Sequence, residues 1–273
     1  MEEKKTNPYN KNNKLITHDW ITSIFASLDL DFEPIELSIY QKAFVHRSYN
    51  KKRNGDIVDK PEGALPLFDY DNERLEFLGD SVLSFVVADH LYERFEDENE
   101  GFLSRLRTKL VNGEALAYFA QELDFGPYII MSRHVEDMCE GRSSVKLLED
   151  TLEAFIGAIY LDFNSIEKED LDIEYSMGVH VAKEFINALI DSKVDFADLI
   201  LNDYNFKDQL MKYFQQEFQT NPKYQSNCDS EKVYHADVLL NGEVIESGEG
   251  ETRKKAEQDA CRRALIKYGC IDE

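Results

Sequence analysis

The sequence predicts an all-α domain followed by a small α+β module of order α-β-β-β-α. Three observations carry that prediction. Apolar residues recur at helical spacing from about Asp19 to Ile190. Near residue 200 the pattern changes to short alternating runs that flank an Asn241-Gly242 pair. The charge changes with it: of 54 Asp+Glu and 31 Lys+Arg in 273 residues, net -23, only 14 acids and 10 bases follow residue 200. The helical part therefore holds most of the acidity.

Residues 1–14 are polar and read as a flexible tail. From about Asp19 to Ser48 the spacing is helical, with Trp20, Ile21, Ile24 and Phe25 on one apolar face. The stretch 50–70 has two glycines, two prolines and no period, and reads as a long loop. Periodicity resumes at Asn72 and runs through about Phe95. An acidic turn, EDENEG, then leads into a helix that extends to about Glu122. Later helices are expected from about Ser144 to Asp162 and from Met177 to Ile190, the second after the acidic segment EKEDLDIE. The helical domain thus spans 15–192, a linker 193–202 and the module 203–270.

In the module, a helix from Phe206 to Glu217 precedes strands around Tyr224, at 233–240 and at 243–247. Asn241-Gly242 is a hairpin turn signal, since both residues tolerate positive φ. A closing helix runs from Thr252, a plausible N-cap, to Tyr268. Its residues Ala256, Ala260, Ala264 and Leu265 form a small face suited to packing on a sheet.

Composition excludes several classes. A hydrophobic content of 42% rules out wholesale disorder. No apolar run approaches the length of a membrane span, and the first residues lack the apolar stretch of a secretory signal. Cys139, Cys228, Cys261 and Cys270 have no paired spacing for zinc and fit a reducing compartment. A cytoplasmic location is expected, with a nuclear one left open. The net charge repels nucleic acid at long range, so any reading that involves RNA has to overcome it.

The chemistry-bearing residues are acids. In NERLEFLGDSVL, Glu73, Glu76 and Asp80 stand at i, i+3 and i+7, within about 60° of one another on a helix. Leu75, Leu78, Val82 and Phe85 fall mostly on other faces and can pack. In LLEDTLEAFIGAIYLD, Asp150 and Glu153 stand at i and i+3. The competing reading is a solvated acidic face. Two features weigh against it. A solvated stripe should carry Lys or Arg partners, and each helix has an interior glycine, Gly79 or Gly157, that costs about 1 kcal/mol unless another backbone approaches closely. If the rows converge, four or five carboxylates share one volume and cannot all ionise without compensation. A hard divalent cation with oxygen ligands resolves this, which is the logic of metal-assisted phosphodiester hydrolysis. A glycosidase-type acid and nucleophile pair is the alternative chemistry. It needs only two carboxylates and a sugar groove rich in Trp, of which this chain has one.

NERLEFLGDSVL closely resembles the signature of the ribonuclease III family, double-strand-specific RNA endonucleases. AFVHRS at 43–48, EGFLSRLRTKLVN at 100–112 and EDTLEAFIGAIYLD at 149–162 are similar to its other blocks in order and spacing. The resemblance implies that Glu76, Asp80, Asp150 and Glu153 are metal-binding acids, with Mg²⁺ as cofactor and Mn²⁺ able to substitute. It implies catalytic roles for Asp80, Glu153 and Glu73, the last near the dimer interface, and an interface acid at Glu100. It further implies a homodimer that hydrolyses duplex RNA with metal-activated water, leaving 5′-phosphate and 3′-hydroxyl ends. One signature per chain fits homodimerisation. The alternative is a non-catalytic duplex-RNA scaffold that keeps the dimer fold, though such a chain would be free to lose the acids. Two features depart from the family: the 50–70 loop is longer than in bacterial members, and Glu149 stands where a small residue is usual. His46 reads as structural.

The module, with GEGETRKKAEQDACRRAL at 248–265, resembles a double-stranded RNA-binding domain. Arg253, Lys254 and Lys255 at the positive end of the closing helix make a phosphate clamp. Lys207 is a further backbone contact in the same reading. Arg262, Arg263 and Lys267 read as surface charges. Met211 stands where a minor-groove glutamine is common, and NCDSE at 227–231 lacks the usual histidine, so weaker binding than typical is expected. The clamp works at contact range, while the repulsive field is screened beyond about 8 Å at physiological salt.

Overall fold

The structure, a computed structural model, describes residues 7–50, 59–164, 176–201, 206–230 and 232–271. Contacts divide the chain into two units, Met1–Asp195 and Phe196–Glu273.

The first unit is organised around a helix that is apolar on nearly every side. α1 (His18–Ala26) and α2 (Leu37–Ala43) precede α3 (Glu73–Arg94), α4 (Glu100–Leu110), α5 (Gly113–Glu122), α6 (Arg133–Cys139), α7 (Val145–Asn164) and α8 (Ser176–Lys193). α7 packs against α2, α3, α5 and α8. Its Leu152, Ala154, Phe155, Ile156, Ala158 and Ile159 are fully buried, as a central helix requires. The Phe155 ring lies within 6.5 Å of those of Phe25, Tyr40, Phe44, Phe125 and Phe185. At the far end of α7, buried Asp162 accepts hydrogen bonds from the Ile35 and Glu36 backbone N–H groups and from the Tyr40 hydroxyl. That carboxylate stands in for the side-chain cap that α2 lacks.

Several sequence expectations change here. The helix expected from Asp19 to Ser48 is two helices, broken where Asp29 takes φ 58° and Pro34 follows. The helix expected through Glu122 is also two, because Asn112 turns out of helix and caps α5 by accepting from Ala115 N–H. α6 was not expected: it buries no side chain and so carries no apolar period. Of the supposed tail, 1–6 lie outside the described residues, whereas Asn10 and Asn13 are buried and bond the Met131 carbonyl. In the 50–70 loop, 51–58 lie outside the described residues, and Tyr49 donates to the Leu65 carbonyl at 2.9 Å. The EKEDLDIE segment lies outside them altogether. The expected linker holds a short helix, α9 (Phe196–Leu201); Asn202 lies outside the described residues.

The second unit follows its expected order closely. α10 (Phe206–Phe218) leads to an antiparallel sheet of order β1-β2-β3, with β1 Lys223–Cys228, β2 Tyr234–Leu240 and β3 Glu243–Gly250, and then to α11 (Arg253–Lys267). Asn241 and Gly242 both have positive φ, 52° and 94°, which matches the twist of a tight hairpin. Thr252 caps α11 by accepting from Lys255 N–H at 3.2 Å. Ala256, Ala260, Ala264 and Leu265 are buried with Leu210, Phe214, Ala236 and Val238 in one core. Among the described residues no helix is long and apolar enough to cross a membrane.

Candidate active site

α3 and α7 meet backbone to backbone. A methyl on Gly79 would lie 1.7 Å from the Glu153 carbonyl oxygen, and one on Gly157 would lie 2.4 Å from that of Leu75. Only glycine at both positions permits this approach, which is why two interior glycines are tolerated in long helices. The approach brings the two acidic rows together. Carboxylate oxygens of Glu76, Asp150 and Glu153 lie within 4.8 Å of one another.

Burial and crowding set the electrostatics. Burial pushes the Glu153 carboxyl up to about 8, and the charges of Asp80, Glu149 and Glu76 push the same way, against a smaller opposing effect of Lys146. Glu76 is also raised, by burial and then by the Asp150 charge. Asp80 is exposed and outside the three-residue group, yet its charge is the largest felt by Glu153. Glu73 sits one turn before Glu76, paired at 3.2 Å with Arg47. Glu100 opens α4, exposed, with the Ser104 hydroxyl donating to it at 2.8 Å; it is not one of the converging acids. His46 accepts from Ser48 N–H through Nδ1 and so caps the start of a short 3-10 turn, Arg47–Tyr49, a structural role.

An all-carboxylate group with a proton-retaining member fits a hard divalent cation. Such ions take oxygen ligands, which these three carboxylates supply from two helices. Two residues were missed from sequence. Lys146 Nζ lies 2.6 Å from Asp150 and within 4 Å of Glu149 and Glu76, so the acidic row does have a basic partner, contrary to the expectation above. Its spacing of i, i+4 to Asp150 was the available signal. Arg47, near in space but 26 residues from Glu73, gave none. Phe85 was expected to pack and instead is 59% exposed, as are Phe77 at 78% and Tyr92 at 73%.

In the second unit the expected cations divide. Lys207 Nζ donates to Glu257 at 2.7 Å and lies 4.3 Å from the Tyr224 ring centroid. Arg253 Nε donates to the other oxygen of the same carboxylate at 2.9 Å. Burial pushes Glu257 up, but the bonds from Lys207 and Arg253 outweigh it and hold the carboxyl below its usual range. Lys255 pairs with exposed Glu251, and Lys254 is exposed. Met211 is exposed on α10. Of the loop expected at 227–231, Asn227 and Cys228 instead end β1, paired with His235 and Tyr234, while Asp229 accepts from Val233 N–H and Glu231 lies outside the described residues.

Residues 36–169 match the family described as ribonuclease-III-like, and residues 206–268 match the double-stranded RNA binding motif. A ribonuclease 3 of Borreliella afzelii is 32% identical over 252 residues, covering 90% of each chain. A probable ribonuclease 3 of Acanthamoeba polyphaga mimivirus is 29% identical over 98% of this chain, which spans only 48% of that relative's length. The nuclease domain of a Campylobacter jejuni ribonuclease III is 33% identical, covering 63% of this chain and 96% of that one at a TM-score of 0.48. Matched almost end to end by a curated ribonuclease 3, and carrying both expected modules in order, the chain belongs to the ribonuclease III family.

Proposed function

We propose that this protein is a divalent-metal-dependent endoribonuclease that hydrolyses double-stranded RNA to products with 5′-phosphate and 3′-hydroxyl ends. The observation that carries this reading is the convergence of Glu76, Asp150 and Glu153. We assign the endonuclease domain to 15–192 and the RNA-binding domain to 203–270.

Glu76, Asp150 and Glu153, with Asp80 beside them, would hold Mg²⁺, and Mn²⁺ would substitute. When bound, the ion supplies acidification of a water nucleophile and charge neutralisation at the leaving oxygen. The chain's own residues prepare for it. Glu153 retains a proton near neutral pH and must release it on loading. Glu73, anchored by Arg47, adds negative charge beside Glu76. In the second unit Arg253, Lys254 and Lys255 contact phosphates at the positive end of α11, and Lys207 braces Glu257 beneath them. Duplex RNA is then read by A-form shape.

The acting species is a homodimer. Phe77, Phe85 and Tyr92 lie on one side of α3, opposite the buried Leu75, Gly79, Leu83 and Val86, and offer an apolar stripe to a second copy. Glu100 is assigned to the same interface. Replacement of Phe85 by Glu is expected to give a monomer in sedimentation velocity; a dimer of wild-type affinity would count against this face. The four cysteines are free, three of them exposed, which supports a reducing, cytoplasmic setting.

One assay tests the activity. Long duplex RNA is incubated with and without Mg²⁺, using Glu153→Gln as control. Metal-dependent cutting that falls by about a thousandfold or more in the variant is expected, as for loss of a charge-stabilising group in the transition state. Binding without cutting by the wild type would instead favour the non-catalytic scaffold.

A further inference from the structure

Lys146 stands where a divalent ion would have to bind. Its Nζ lies 2.6 Å from Asp150 Oδ1 and 3.9 Å from Glu76 Oε1, so it bridges two of the three converging acids. It also lies 3.4 Å from Glu149 Oε2. Its side chain is 64% exposed, so the ammonium can leave these oxygens without disturbing the core. Glu149 is not turned away from the site. Its carboxylate rests at the first turn of α5, where a methyl on Gly113 would come within 2.9 Å of Oε2. The missing Cβ makes room for it, and the positive end of α5 favours its charge. One flexible cation therefore has two seats on its own helix, at i+4 and at i+3.

An ammonium and a divalent ion on the same carboxylate oxygens would repel strongly at such distances. We infer that Lys146 is a resident counter-cation that sits on Asp150 and Glu76 when metal is absent and swings to Glu149 when a divalent ion takes those oxygens. This rests on the metal-site reading above and adds to it a regulation of loading. Lys146 and Glu149 are positioning residues here: neither touches the reacting atoms in this account. Glu149, whose size departs from the family pattern, gains a reason.

The test is Mn²⁺ titration of the full-length chain without RNA, by calorimetry and by the electron paramagnetic resonance of free Mn²⁺. Wild type, Lys146→Met, Glu149→Gln and the double variant are compared, with Lys146→Gln as a second substitution at the exposed site. The lysine variants are expected to bind Mn²⁺ about tenfold more tightly, as removal of an adjacent like charge requires, and to melt lower without metal. Glu149→Gln is expected to weaken binding in the wild type and by less than half as much beside Lys146→Met, because the seat matters only while the lysine exists. Unchanged or weaker Mn²⁺ binding in both lysine variants overturns the inference and leaves the metal site standing. Equal weakening by Glu149→Gln in both backgrounds overturns it too, since Glu149 is then only a nearby charge. A wild type that binds no Mn²⁺ overturns the inference and the metal-site reading together.

Discussion

The two units of this chain each bury a glutamate, in opposite surroundings. In the second, Glu257 is buried between two cations, and its carboxyl is held below the usual range. In the first, Glu153 is buried among other acids with one lysine nearby, and its carboxyl is pushed up to about 8. The first arrangement is what a stable fold ordinarily builds around a buried charge. The second costs stability and calls for a cation from outside. Charge that the protein leaves uncompensated marks chemistry; charge that it compensates marks architecture.

The strongest way to break the comparison is to stop the acids meeting. Gly79→Ala places a methyl 1.7 Å from a backbone carbonyl of α7, which cannot give way without separating the helices. A loss of about 3 kcal/mol or more is expected from such overpacking, with RNA cutting abolished. Duplex RNA binding, which the second unit carries in our reading, is expected to survive. Calorimetric melting beside a gel shift checks both. A variant that melts and cuts like the wild type would show that the close approach is not what gathers the carboxylates.

How much of this was legible in the sequence follows from the same contrast. Gly79 and Gly157 inside helices, with acids at i+3 spacing, announced both the crossing and the site, because each glycine costs helix stability unless something needs the space. α10, the sheet and α11 were legible because turn and cap chemistry are local: Asn241-Gly242 and Thr252 act on their own neighbours. What was hidden depends on contacts distant in sequence. Nothing local shows that Asp162 caps α2, that Asn13 anchors the first segment to Met131, or that Arg47 reaches Glu73. Phe85 was misread for a related reason. Periodicity finds apolar faces but does not tell a face covered by the same chain from one left open.

The next effect is on pH dependence, and the two carboxylates should act with opposite sign. Glu153 binds its proton more tightly in the folded state than its ordinary value of 4.5 allows. Between about 4.5 and 8 the folded, metal-free protein therefore holds more protons than the unfolded chain. Its stability should fall across that window by a few kcal/mol as pH rises. Glu257 is shifted the other way, so its contribution is present above the unfolded carboxylate value and disappears as pH falls through its lower folded value. Urea denaturation in EDTA across pH checks both. Glu153→Gln should flatten the loss between 4.5 and 8, and Glu257→Gln should remove part of the acid loss. Mg²⁺ should restore stability near pH 8 in the wild type only. A wild type equally stable at pH 5 and pH 8 without metal would remove the proposed cost of crowding the acids.

The smallest effect separates the two cations that share Glu257. Arg253 gives Nε to Glu257 while its side chain stays 67% exposed, an arrangement that aims the rest of the guanidinium outward from the first turn of α11. Lys207 instead spends its ammonium on the carboxylate and the Tyr224 ring. Arg253→Ala should therefore weaken duplex RNA binding by about 1 kcal/mol and lower the salt slope by about one, with a modest loss in melting because Glu257 keeps Lys207. Lys207→Ala should lower melting more and leave RNA affinity and salt slope nearly unchanged, because it removes the less exposed partner of Glu257 and its contact with the Tyr224 ring together. Fluorescence anisotropy at several salt concentrations, set beside calorimetric melting, tells the two apart. If Lys207→Ala reduced RNA affinity and salt slope as much as Arg253→Ala at unchanged stability, Lys207 would be a phosphate contact. The division between a bracing cation and a binding cation would then fail, although the fold that carries both would be unaffected.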